Sequence, residues 1–142
     1  MKNRQIKKYI KYFSLLIFIF MYTTTFAQKV HIGGIMLGDH YTVAKKRLVI
    51  DDVKGTLYCY KDADNKIFKI FYKTNGIIDY DEYCTVINRL TETLNLIAIP
   101  SSVRNSTGYS VFKYNCSAYK VIIKVYMKSN NIDRLYLTVT LK

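Results

Sequence analysis

The chain has 142 residues, with 22 Lys plus Arg against 10 Asp plus Glu, 14 Tyr, 7 Phe, three Cys and one Pro, for a formal net charge of +12. Half of the residues are apolar and 23% are charged. This composition fits one folding domain and excludes disordered, collagen-like and mucin-like chains, and three Cys are too few for a disulfide scaffold.

Residues 1–12 carry Lys2, Arg4, Lys7, Lys8 and Lys11 and no acid. Residues 13–22 are apolar apart from Ser14, and Thr23-Thr24-Thr25-Phe26-Ala27-Gln28 follows. A basic start, a short apolar run and small residues at Thr25 and Ala27 describe a secretory signal peptide over 1–27, cut after Ala27. The apolar run is roughly half the length a spanning helix needs. The expected product is secreted or periplasmic, a single domain over 28–142 with no transmembrane segment once the leader is gone. Five of the 22 basic groups lie in the leader, which leaves 17 against ten acids.

Leu37, Tyr41, Ala44 and Leu48 are spaced four, three and four apart, which predicts a helix over 39–49. Asp39 would cap it, and Lys45, Lys46 and Arg47 would suit its C-terminal dipole. Tyr-, Phe- and Ile-rich strands are expected over 56–60 and 66–73, around the turn Asp62-Ala63-Asp64-Asn65. A second helix is predicted over 79–95, with Tyr83, Ile87, Leu90 and Leu94 on one face and Asp79, Asp81 and Glu82 at its start. Pro100 marks a loop, and strands follow over 109–115, 119–128 and 133–141. Cys59 falls in a strand and Cys84 on a helix face, as buried small hydrophobes do. Any pairing of Cys59, Cys84 and Cys116 is open.

The two hairpins correspond at an offset of 55: Ile67, Phe68, Lys69, Ile70, Phe71 and Lys73 align with Ile122, Ile123, Lys124, Val125, Tyr126 and Lys128. Each follows a predicted helix. The expected class is therefore α+β, two helix–strand–strand repeats (about 30–76 and 77–142) with both helices packed on one face of an antiparallel sheet. The Ala-Gln leader end, Ile32-Gly33-Gly34-Ile35-Met36-Leu37-Gly38 leading into a helix, and the doubled helix–hairpin together resemble small secreted proteins common in Bacteroidetes. More distantly, the pattern is similar to the fold of β-lactamase inhibitor protein and of the small lipoprotein of the outer-membrane barrel-assembly machinery. That resemblance implies a binding or assembly module rather than an enzyme and carries over no functional residue.

Catalytic motifs are scarce. Gly33 and Gly38 have P-loop spacing, but Asp39-His40 stands where Lys and Ser/Thr must meet phosphate and Mg²⁺. Asp62, Asp64 and Asn65 lack the Gly and the bidentate Glu of a calcium loop. His31 and His40 have no Cys or acid at metal-ligand spacing, so no metal and no cofactor are expected. One enzyme alternative remains, a small basic secreted ribonuclease-like hydrolase using His31, His40 and Lys45 as acid, base and phosphate cation.

Strand alternation points elsewhere. Val121, Ile123, Val125 and Met127, then Leu135, Leu137, Val139 and Leu141, then Phe68, Ile70 and Tyr72 form core rows. The opposite rows leave Lys69, Phe71, Lys73, Lys124, Tyr126, Lys128, Arg134 and Tyr136 on an open face. Rings interleaved with cations suit an acidic protein or a polyanionic envelope component, with no specific nucleic acid as target. The function expected is an exported, non-catalytic binding or envelope-assembly module.

Overall fold

The computed structural model describes residues 30–96, 100–129 and 131–142; the predicted leader lies outside them. It shows a mostly β protein. A two-residue ribbon, β1 (His31–Ile32) and β2 (Ile35–Met36), precedes β3 (Lys45–Ile50), β4 (Val53–Lys61) and β5 (Ile67–Thr74). One helix, α1 (Tyr80–Thr93), follows, then β6 (Ser102–Ser106), β7 (Tyr109–Asn115), β8 (Tyr119–Lys128) and β9 (Asn131–Leu141). The last seven strands form one antiparallel sheet in the order β3-β4-β5-β9-β8-β7-β6.

The expected helix over 39–49 is absent, and β3 stands in its place. Its fate is decided by the next two residues. Ile50 pairs with Val53, so Asp51-Asp52 is a two-residue hairpin loop, and both have positive φ, 44° and 71°. That mirror-image turn suits the twist of flanking strands, and Asp tolerates it. Gly33-Gly34 does the same for β1 and β2, at φ 57° and 81°, so the expected lead into a helix is also a hairpin. The ribbon takes the position a first helix would have had. Val30, Ile32, Ile35 and Leu37 join the core cluster with Val86, Leu90 and Leu94 of the α1 region.

α1 forms for local reasons. Asp79 Oδ1 accepts from Glu82 N–H at 2.8 Å and Glu82 Oε2 accepts from Asp79 N–H at 2.9 Å, a reciprocal cap on two orphan donors. Val86 and Leu90 turn fully inward, whereas Tyr83 and Ile87 pack half-buried at the margin. Ahead of the helix, Ile78 exchanges backbone hydrogen bonds with Ile132 at 3.0 and 3.1 Å, which ties its start to β9.

The helix–strand–strand duplication fails as well. Seen from one side of the sheet, β3, β4 and β5 step inward from one edge and β6, β7 and β8 step inward from the other, both meeting β9. All neighbours are antiparallel, so β4 and β7 point the same way. The aligned residues nevertheless share a face, because Phe71 and Tyr126 both touch Tyr136. Two such meanders are of opposite hand, and no rotation superposes them.

Two bulges adjust the core rows. Lys61 pairs with Ile67 and Tyr60 with Lys69, which makes Phe68 the extra residue, half-buried and outside the core that it was expected to join. Met127 (42% exposed) and Leu141 (36%) end their strands beyond the cover of α1, so they too leave the predicted core. The rest of the covered face is closed: Leu57, Ile70, Tyr72, Val121, Leu135, Leu137 and Val139 have no exposed surface.

Candidate functional site

The face opposite α1 is read directly from the register, since residues paired across antiparallel strands point to the same side. It carries all eight of the residues singled out from the sequence. On β5, Phe71 lies between Lys69 and Lys73; on β8, Tyr126 lies between Lys124 and Lys128; on β9, Tyr136 is preceded by Arg134. Lys124 stands directly across from Tyr136, and Tyr126 across from Arg134.

The rings touch. Tyr58, Phe71, Tyr136, Tyr126 and Tyr109 form one chain across β4, β5, β9, β8 and β7, with centroid steps of 5.9, 5.5, 5.4 and 5.9 Å. Two of these contacts are tilted, Tyr126–Tyr136 is edge-on and Tyr109–Tyr126 is stacked, and quadrupoles favour edge-on and offset-stacked rings. Each ring is half-buried. Tyr58 and Tyr109 close the two ends and were missed from the sequence, although Tyr58 stands between the core residues Leu57 and Cys59 and the two pair directly with Phe71 and Tyr126. The register also adds Lys45 and Arg47 on β3, Lys54 on β4, Lys120 on β8, Lys113 on β7 and Arg104 on β6. Lys45 and Arg47 were hidden by the helix reading.

The charge pattern is one-sided. Every strand of the sheet puts at least one cation on this face, and none puts an acid in these rows. Asp133, the bulge residue of β9, stands at the margin and accepts from Arg134 Nε at 2.8 Å. That contact first, then the Tyr136 hydroxyl, pushes the Arg134 guanidinium further above its usual range. Lys45 and Lys73 lie 5.6 and 5.7 Å over the Tyr58 ring and Lys69 lies 4.8 Å over Tyr60, so several ammonium groups rest on ring faces. The remaining acids sit in turns, in the lead to β3 and on α1. Beside the stripe, Lys73, Asn75, Gly76, Asp133, Arg134 and Tyr136 line an open depression of about 400 Å³.

The alternative acid–base set is dispersed. Lys45 is on the open face, whereas His31 belongs to the ribbon packed on the other side of the sheet. His40 lies at the end of β5, its Nδ1 3.1 Å from Asn65 Nδ2. Among the described residues no three His, Cys, Asp or Glu side chains converge as metal ligands, and no helix is long and apolar enough to cross a membrane. Cys59, Cys84 and Cys116 are free thiols, and burial pushes that of Cys59 up.

No protein-family model, characterised protein or solved structure matches the chain.

Proposed function

We propose that the protein is an exported, non-catalytic binding module whose open sheet face takes an acidic protein or a polyanionic envelope component. The observation that carries this reading is the segregation of charge: cations on all seven strands of one face, with acids kept to turns, the β9 bulge and the helix. Like charges in such a field repel one another, and relief comes from an anionic partner. The connected rings supply contact area at low entropic cost, the usual source of binding energy beneath a charged rim.

Export belongs to the same proposal, since the leader places the face where envelope polyanions are met. N-terminal sequencing of the exported protein should begin at Gln28; an intact Met1 in a membrane pellet would overturn export. Binding is tested by the affinity for soluble polyanions across a salt series. Affinity should fall as the Debye length shrinks below roughly 10 Å. Replacing Lys69, Lys73, Lys124 and Lys128 together by Gln should weaken it, while Phe71→Ala and Tyr126→Ala should speed dissociation. Unchanged affinity in both sets would remove the face from the function.

A further inference from the structure

Five rings in a line are a more specific device than a basic patch. Their path crosses the strands, so the cations two residues away along β5, β8 and β9 fall on both of its sides. Lys69 and Lys124 flank one side, and Lys73, Arg134 and Lys128 flank the other. Four of the five rings are Tyr, whose hydroxyls donate and accept hydrogen bonds.

We propose, building on the binding reading above, that the ligand is a linear carboxylate-bearing polysaccharide laid along this stripe. In a ribbon-like glycan successive pyranose units are flipped, so their carboxylates alternate between the two edges of the chain. A track with cations on both flanks matches that alternation. Sugar C–H faces lie on aromatic rings, and the neutral sugar hydroxyls find phenolic partners. On the flank of Lys73 and Arg134, one carboxylate meets the Lys73 ammonium and Nη2 of Arg134, whose Nε is held by Asp133 and whose Nη1 is held by the Tyr136 hydroxyl.

Other polyanions fit less of the pattern. A stacked single strand of nucleic acid carries its phosphates along one side of its bases, whereas the cations here lie on both sides of the line of rings. An acidic protein is drawn by the charge but concentrates its contact energy in a compact central cluster rather than along a line.

The test uses protein recovered from cells expressing the full chain. Oligomannuronates, whose diequatorial linkage gives the ribbon, are compared at increasing length with their carboxyl-reduced forms, with polyglutamate and with oligothymidylate of equal charge. Affinity for the oligomannuronates should rise with length until about five units and then level, with carboxyl reduction abolishing it. Tyr136→Leu should weaken binding about tenfold, one hot-spot contact in size. Arg134→Gln should weaken it several-fold with an unchanged melting temperature, which separates lost contact from lost folding. Equal or tighter binding of polyglutamate or oligothymidylate would overturn the glycan assignment while leaving a polyanion-binding face intact. Failure of all the polyanions to bind would overturn both readings.

Discussion

The two faces of the seven-stranded sheet are made by alternate residues of the same strands, yet they obey different rules. On the covered face, apolar rows from β4, β5, β8 and β9 meet Val86, Leu90 and the β1–β2 ribbon, and packing there determines whether the chain folds. On the open face, the rings are only half-buried and, Arg134 beside Asp133 apart, the cations have no acid in their rows. Such a surface contributes little to stability and works against it through self-repulsion. The contrast teaches that stability and recognition have been placed on opposite sides of one sheet, so substitutions can address either separately.

The largest test of that separation is Ile123→Ala. Ile123 is 2% exposed under the helix, and its truncation should cost about 2–5 kcal/mol in chemical denaturation. A loss within about 0.5 kcal/mol would mean that the faces are assigned the wrong way round.

Gly55→Ala comes next. The Tyr72 ring lies directly over Gly55, and an added Cβ would collide with it. Moving that ring inside a closed core should cost about 1–3 kcal/mol, read as a lower urea midpoint.

Tyr72→Phe should act in the opposite direction. The Tyr72 hydroxyl is buried with no hydrogen-bond partner among the described residues. Removing it should leave stability unchanged or raise it by about 1 kcal/mol. Burial also pushes this phenol up to about 12, against about 10 in an unfolded chain. The unfolded state then loses its proton first, so stability is complete below about pH 10 and falls as pH rises towards 12. Tyr72→Phe should flatten that alkaline fall, measured as urea midpoints at pH 8 and pH 11.

The smallest stability effect belongs to the open face. Replacing Lys69, Lys73, Lys124 and Lys128 together by Gln should shift stability by less than about 0.5 kcal/mol per site. A large drop would show that the face also holds the sheet together.

Much of the face was legible before the fold was. Period-two rows such as Val121-Ile123-Val125 and Leu135-Leu137-Val139 set the side on which Lys124, Tyr126, Arg134 and Tyr136 emerge, whatever packs above them. The fold class was not legible. Leu37, Tyr41, Ala44 and Leu48 have helical spacing, but spacing over so few residues cannot see that Asp51-Asp52 will adopt left-handed turn geometry without a glycine. β6 was hidden for a different reason: Ser102–Ser106 is exposed throughout, so it carries no alternation to read. The bulge at Phe68 depends on the partner strand, which local pattern does not contain. The hairpin similarity at an offset of 55 reflects shared composition and alternation, since meanders of opposite hand cannot be copies of one unit.

The central position of β9 also fixes an order of assembly. β3 to β5 form one local meander and β6 to β9 another, since Lys128 pairs with Asn131 where β8 turns into β9, and each keeps an open edge until β5 meets β9. The β5–β9 ladder joins Lys69 to Thr140, across most of the described chain. Contacts that distant carry the largest loop-closure cost and set the pace of folding. The docking of β5 on β9 is therefore the step that joins the two meanders into one surface and brings Phe71 against Tyr136 in the line of rings.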